Sequence, residues 1–261
     1  MKLRMYQIDA FTQRPFGGNP AAVVLLDDWL ADDKLQAIAA ENNLAETAFV
    51  IARPHGAPLR WFTPTVEVDL CGHATLASGH VLLTHLYPDL KSVAFTTRSG
   101  ALAVSRSGDL LCLDFPARGG KPVAVSDALA SALGAKPRAA FQARDLVAVF
   151  DDEAAVHALR PDFARIAAID TFAVIATAPG RDVDYVLRFF APRAGVAEDP
   201  ATGSAHCTLA PYWTAQLAKT RLTARQLSQR VGEFECELHG ERVFIAGGAI
   251  EYLCGEINVP A

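Results

Sequence analysis

Two short turns in the sequence share one backbone pattern and differ in their side chains. The first reads Cys-Gly-His at residues 71–73, and the second reads Thr-Gly-Ser at residues 202–204. A glycine at the start of a helix lets a ligand approach the unpaired backbone N–H groups closely, and these groups favour an anion together with the helix dipole. The turns therefore predict two binding positions for a small carboxylate-bearing molecule, with two ordinary helix starts as the alternative.

Glu46 is a candidate acid–base group. It lies in the stretch LAETAFVIA, whose alternation predicts a strand with Glu46 on the same face as Ala48 and Val50. A carboxylate among apolar side chains is suited to proton transfer near neutral pH. A glutamate at a strand end that reaches solvent is the commoner arrangement for such a pattern, and the pattern alone does not decide between the two.

Three further candidate side chains lie in the turns or beside them. His73 can donate or accept a proton near neutral pH, and Asp199 can orient an amine or a hydroxyl group. A buried histidine with satisfied hydrogen bonds and an Asx-type turn before Pro200 are the structural alternatives. Cys71 is suited to act as a base if the adjacent helix terminus stabilises its thiolate, and a small buried cysteine is its alternative.

Both turns belong to a repeat that covers the two halves of the chain. RWFTP at residues 60–64 returns as RFFAP at 188–192, and HATLA at 73–77 returns as HCTLA at 206–210. This spacing predicts a duplicated domain with an offset of about 130 residues. Aligning the glycines of the two turns, rather than the HATLA and HCTLA stretches, superimposes the predicted helix starts.

The predicted domains are residues 1–117 and 118–261, joined at ARGGKP, with the last strand free to return to the first domain. Each domain is built around one helix. The first central helix covers 73–87, and because it is apolar on nearly all sides we expect other structure to wrap around it. The second begins near residue 204, where Pro211 is expected to kink it or shift its start.

Shorter helices are predicted in both halves, at residues 32–43, 126–133 and 151–160. Asp32 is placed to cap the N-terminus of the first of these. Strand-like runs closed by glycine or proline fill much of the remaining chain, so the predicted fold class is α+β.

Composition restricts the function classes. A chain of 261 residues exceeds the usual size of a single core, which favours two domains. The formal charge of −5 argues against nucleic acid or an anionic membrane as a partner, and we expect neither a signal peptide nor a membrane span. Five scattered cysteines lack the spacing of a zinc site or a disulfide framework, so we expect a cytoplasmic protein with reduced thiols and no metal.

Several motifs together resemble the PhzF family of phenazine-biosynthesis isomerases. They are, in chain order, QIDAFT, PFGGNPAAVVLL, NNLAETAFV, RWFTP, LCGHATLA and EDPATGSAH, and they extend over essentially the whole chain. The resemblance implies two similar domains, each a barrel-like sheet wrapped around a central helix, as in diaminopimelate epimerase and proline racemase. It also implies an active site in the cleft between the domains, and a homodimer.

The resemblance implies a role for each candidate residue. Glu46 corresponds to the proton shuttle of the family, while His73 and Asp199 correspond to residues that bind and polarise the substrate. The residues that correspond to backbone and hydroxyl donors are Gly72, Gly203 and Ser204. The implied chemistry needs no cofactor: a proton leaves one carbon and returns elsewhere while double bonds shift. Phenazine-pathway members isomerise trans-2,3-dihydro-3-hydroxyanthranilate.

The two turns differ where the epimerase relatives carry a cysteine in each. Cys71 occupies the first such position, but Thr202 occupies the second, and a threonine hydroxyl is a very poor base. A symmetric two-thiol racemase is therefore disfavoured. An epimerase that pairs Cys71 with another group and a non-catalytic binding or regulatory protein remain the alternatives. Ala45 departs from the family, where relatives commonly carry serine before the shuttle glutamate.

Overall fold

The chain forms two compact units and enters the second before the first is complete. The computed structural model describes residues 1–260. The first unit comprises Met1–Asp114 together with the residues from Ala246 onward, and the second comprises Phe115–Ile245. Within the described residues, no helix has the length and apolar character needed to cross a membrane.

Strands outnumber helices in both units. The strands in chain order are β1 (Lys2–Ala10), β2 (Asn19–Leu26), β3 (Glu46–Ile51), β4 (Ala57–Phe62), β5 (Glu67–Val68), β6 (Ser92–Thr97), β7 (Gly100–Ser107), β8 (Leu110–Pro116), β9 (Lys121–Val123), β10 (Ala139–Gln142), β11 (Leu146–Val149), β12 (Val174–Pro179), β13 (Tyr185–Phe190), β14 (Arg221–Gln226), β15 (Gly232–His239), β16 (Arg242–Gly247) and β17 (Ala249–Asn258). The α-helices are α1 (Asp32–Asn42), α2 (Gly72–Val81), α3 (Asp127–Leu133), α4 (Glu153–Ala158), α5 (Phe163–Ala168) and α6 (His206–Leu217).

The two units use the same order of strand pairings. In the first unit, β1–β2 is antiparallel, β2–β3 parallel, β3–β4 antiparallel, β4–β6 parallel and β6–β7 antiparallel. In the second, β10–β11, β11–β12, β12–β13, β13–β14 and β14–β15 alternate in the same way. The predicted combination of a mixed sheet with helices is confirmed, and the repeat in the sequence corresponds to a repeat in topology.

Helix α2 is the buried centre of the first unit. It packs against β1, β2, β3 and β7, and it continues as a π-helical turn over Leu82–Leu86, close to the end of the predicted helix at residue 87. At Gly79 the helix approaches β7 so closely that an added Cβ would lie 2.5 Å from Cγ1 of Val104. Only a glycine leaves room for that β-branched side chain.

Helix α6 holds the corresponding place in the second unit and packs against β14 and β15. It follows a 3-10 turn over Gly203–Ala205 and runs through Pro211 to Leu217. Proline has no N–H, so the carbonyl of Cys207 loses its usual partner one turn on. The backbone N–H of Arg118 donates to that carbonyl at 2.7 Å. A connecting segment outside the helix therefore replaces the missing hydrogen bond.

The shorter helices follow the predictions with two differences. Asp32 is not the N-cap of α1: Ala31 takes that position, and Asp32 lies in the first turn with its carboxylate 2.9 Å from Arg60 of β4. The prediction of Asp32 as the cap is therefore wrong, because a partner from another element holds its side chain. Helix α5 is the other difference, since no helix is predicted at 163–168; Asp162 caps it through the N–H of Arg165.

Candidate active site

The first group of candidate residues lies where β3 begins and α2 begins. Glu46 is the first residue of β3 and pairs in parallel register with Ala21 of β2. Cys71 is the extended N-cap of α2. The N–H and the hydroxyl of Thr75 both donate to the carbonyl of Cys71, at 3.1 and 2.5 Å. These contacts fix the first turn of α2, in which His73 lies.

The structure brings the side chains of Glu46, Cys71 and His73 together, although Glu46 is distant from the other two residues in the sequence. Oε2 of Glu46 lies 3.1 Å from Nε2 of His73, and Sγ of Cys71 lies 3.5 Å from Nδ1 of the same ring. The Glu46 side chain is 16% exposed and that of His73 is 7% exposed. Glu46 is thus not a solvated strand end; its carboxylate faces a buried imidazole.

The electrostatics of this group favour proton sharing between carboxylate and imidazole. Burial opposes the charge on His73, but Cys71 and Glu46 act in the other direction, and the pKa of His73 lies well above its usual value. Burial, followed by the Glu46 carboxylate, raises the pKa of the Cys71 thiol. Glu46 is therefore one of two neighbours, after Cys71, that favour the charged form of the His73 imidazole. Cys71 is a poor base in this environment.

The second group lies in the turn before α6. Thr202 is extended, as Cys71 is, and the 3-10 turn starts at Gly203 as α2 starts at Gly72. This equivalence favours the alignment through the glycines. The Thr202 hydroxyl donates to the Asp199 carboxylate in a short hydrogen bond.

Gln226, which the sequence analysis missed, holds this turn. Its Oε1 accepts the N–H of Thr202 at 2.8 Å, and its Nε2 donates to the Asp199 carbonyl at 2.5 Å. Gln226 is fully buried at the end of β14. A signal was present: Leu222, Ala224 and Gln226 alternate on one buried face, and a polar residue on such a face must find partners.

Arg144 is a second residue that the sequence analysis missed. Its Nη2 lies 3.5 Å from the hydroxyl of Ser204. The guanidinium also makes two hydrogen bonds of 3.0 Å to Asp145, whose side chain is fully buried, and it lies over the ring of Phe172. A positive charge therefore stands beside the hydroxyl of Ser204, a candidate donor to the substrate.

A duplicated ion pair positions the segment before each turn. Arg60 on β4 binds both carboxylate oxygens of Glu67, at 2.7 and 2.8 Å. Arg188 on β13 binds Glu198 in the same way, at 2.8 and 2.9 Å. All four side chains are mostly buried. The repeated arginines of the sequence thus tie β4 and β13 to the segments that lead to the two candidate groups.

Each unit therefore assembles its own group, and the residues within each group are the predicted ones. The first unit gathers Glu46, Cys71, Gly72 and His73 at the start of α2. The second gathers residues 199 and 202–204 before α6. The roles of all these residues in catalysis or substrate binding stay predictions.

Comparisons with known proteins agree with these features. A family model described as phenazine biosynthesis-like protein, PhzC-PhzF, matches residues 8–255. An uncharacterised isomerase of Pseudomonas aeruginosa is 51% identical over 259 residues, which cover 99% of this chain and 100% of that protein.

Solved structures give the same result. A phenazine biosynthesis protein of the PhzF family from Enterococcus faecalis superimposes with a TM-score of 0.97 and 43% identity, covering 99% of this chain and 100% of that one. A hydroxyproline epimerase from Agrobacterium vitis reaches a TM-score of 0.61 at 10% identity, over 98% and 92% of the two chains. The second likeness concerns the fold alone.

Proposed function

The chain belongs to the phenazine biosynthesis-like PhzC-PhzF family, and on that premise we propose that it is an isomerase that moves a proton on a small carboxylic acid. Glu46 is the proposed shuttle. The observation that carries the proposal is the buried contact of 3.1 Å between its carboxylate and the imidazole of His73.

In the proposed reaction the Glu46 carboxylate removes a proton from a substrate carbon. The electrons of the broken C–H bond form a new double bond, an existing double bond moves along, and its far carbon takes a proton from the now neutral Glu46. His73 stabilises the carboxylate before and after the transfer and keeps it oriented. One carboxylate thus acts as base and then as acid, and the shuttle returns to its starting state.

The structure gives less support to the thiol-based alternative. An epimerase using Cys71 needs a thiolate, whereas burial and the neighbouring carboxylate raise the pKa of this thiol. Alkylation of Cys71 is accordingly expected to act by obstructing the site and not by removing a base.

The test is an exchange experiment in D₂O. Wild-type protein, Glu46→Gln and Glu41→Gln are incubated with trans-2,3-dihydro-3-hydroxyanthranilate, and then with other small amino and hydroxy acids, and followed by NMR. Glu41 is an exposed glutamate on α1 and serves as the matched control. Deuterium incorporation by wild type and Glu41→Gln, with a loss of about 10² to 10⁴ in Glu46→Gln, supports the proposal. Exchange that survives in folded Glu46→Gln removes Glu46 from the mechanism.

A further inference from the structure

Glu46, Cys71 and His73 form a cluster with the donor set of a transition-metal site. One ligand atom from each residue, a carboxylate oxygen, a thiol sulfur and an imidazole nitrogen, lies within 4.8 Å of the other two. Among the described residues this is the one group of three or more such side chains that comes so close. The spacing of cysteines along the chain did not predict it, since the three donors come from two elements.

The separation of carboxylate and imidazole within the cluster is near that of a tetrahedral zinc site. Metal–ligand distances of about 2.1 Å to oxygen or nitrogen and about 2.3 Å to sulfur place tetrahedral ligands about 3.4 Å apart for N···O and about 3.6 Å apart for N···S. Oε2 of Glu46 lies 3.1 Å from Nε2 of His73, whereas Sγ of Cys71 lies 4.0 Å from Nε2 and 3.5 Å from Nδ1, so the sulfur is nearer the opposite nitrogen of the ring. The Cys71 side chain must therefore turn towards Nε2 before all three ligand atoms reach one ion.

Charge and burial also fit such an ion. A carboxylate and a thiolate supply two negative charges, which a divalent cation cancels, so the buried cluster becomes neutral overall. A bound divalent cation displaces the proton of the Cys71 thiol, because coordination to a metal deprotonates a thiol. The combination of sulfur, imidazole and carboxylate suits Zn²⁺ and excludes Mg²⁺ and Ca²⁺, which take oxygen ligands.

We propose that Glu46, Cys71 and His73 bind Zn²⁺ or a similar divalent transition-metal ion through three protein ligands, with a fourth position open. Three protein ligands and an open position are the arrangement of reactive rather than structural zinc sites. The bound ion takes the carboxylate oxygen and the imidazole nitrogen that proton transfer requires. Metal binding and turnover are therefore mutually exclusive; this second statement rests on the proposed function, whereas the binding itself does not.

The test uses Co²⁺ as a spectroscopic probe on the whole chain, treated with chelator and free of any polyhistidine tag. We expect one equivalent of Co²⁺ to produce a thiolate-to-cobalt charge-transfer band with the visible absorption of a tetrahedral site. Zn²⁺ is expected to displace the Co²⁺ and abolish both. Wild-type protein that binds no Co²⁺ or Zn²⁺ in this titration overturns the proposal.

Variants assign the ligands. Cys71→Ser is expected to lose the charge-transfer band, and His73→Gln to weaken binding by more than about 100-fold, since loss of even an outer-shell partner costs roughly 10- to 100-fold. Cys254→Ser removes an exposed cysteine and is the matched control, which should leave the band unchanged. A band that persists in Cys71→Ser and disappears in Cys254→Ser contradicts the assignment.

Two further measurements separate the possible failures. If Cys71→Ser does not fold, X-ray absorption at the zinc edge of the loaded wild type must show one sulfur neighbour per zinc, and none or several would overturn the site. Zn²⁺ is also added to the exchange assay. Metal that binds without stopping exchange contradicts only the mutual exclusion, whereas exchange in a protein that binds no metal leaves the proposed function intact and removes the metal site.

Discussion

The side-chain carbonyl of Gln226 accepts a hydrogen bond of 2.8 Å from the backbone N–H of Thr202. A buried amide at the end of β14 thereby fixes the turn before α6. Its other end donates to the carbonyl of Asp199, so both ends of the turn depend on one side chain. The turn is held by a side chain from another strand and not by its own residues alone.

Replacing Gln226 with leucine should therefore destabilise the second unit more than a typical surface change. We expect a loss of about 2–4 kcal/mol in the free energy of unfolding, because buried polar groups of the turn lose their partners. Urea denaturation measures it. Gln36→Leu, which removes a single half-buried hydrogen bond to Thr63, is the control with a smaller loss. Equal losses of stability in the two variants would contradict the role of Gln226 in holding the turn.

The equivalent ion pairs of the two units predict similar effects of substitution on the free energy of unfolding. Arg60→Lys and Arg188→Lys keep the charge but lose the two-point contact with Glu67 and Glu198, so each should lower the free energy of unfolding by about 1–2 kcal/mol. Arg193→Lys, in an exposed ion pair, should change it little. Chemical denaturation of the three variants checks this. Similar values for all three would mean that the two-point geometry contributes nothing.

His206 predicts a dependence of stability on pH that is unrelated to the candidate site. Burial lowers its pKa from 6.5 to about 3. Between these values the unfolded chain binds a proton that the folded chain does not, so stability is complete above pH 6.5 and falls as the pH drops, by about 1.4 kcal/mol per unit. His206→Gln should flatten this slope, whereas His239→Gln, an exposed histidine, should leave it unchanged. Unfolding curves between pH 7 and 4 decide between these outcomes.

The contact between Glu46 and His73 predicts that the effects of their substitutions on the exchange rate are not additive. Each of Glu46→Gln and His73→Gln should reduce the exchange rate, and the double variant should be no slower than the worse single one, because the two side chains work as one unit. His80→Gln, on the same helix, is the control. Losses that multiply in the double variant would show that the two residues act independently.

The close approach of α2 to β7 predicts that a second substitution restores part of the stability lost through the first. Gly79→Ala introduces a methyl group against Val104 and should cost about 1–3 kcal/mol of stability. Gly119→Ala, where an added methyl meets open space, should be nearly neutral. Combining Gly79→Ala with Val104→Ala should recover part of the loss, as measured by urea denaturation. A double variant no better than the sum of the singles would contradict a steric cause.

Sequence patterns were sufficient where an element is long and uniform. The apolar surface of residues 73–87 predicts the central helix, which the structure forms as α2 and the π-helical turn after it, because a helix buried on all sides has few positions for polar side chains. Helix α5 was missed because six residues with one buried side chain, Ile166, show no period. Asp32 was misassigned as a cap since its actual partner, Arg60, comes from a distant strand.

The candidate site was predictable in its members but not in its geometry. Motifs identified Glu46 and His73, yet only the packing of β3 against α2 places their side chains 3.1 Å apart. Gln226 and Arg144 lie outside every motif that resembles the PhzF family. Their roles arise from hydrogen bonds to backbone and side chains far along the chain, which local patterns do not encode.

The first unit is completed only after the second unit has been synthesised, because its last strand follows the second unit in the chain. Strand β17 pairs with all of β1, yet the ribosome makes the whole second unit between the two. At about 5–20 residues per second, β1 waits on the order of 10 to 50 s for this neighbour. Residues 115–245 are all available to fold during that interval. The half of the protein that is begun first is therefore the half that is finished last.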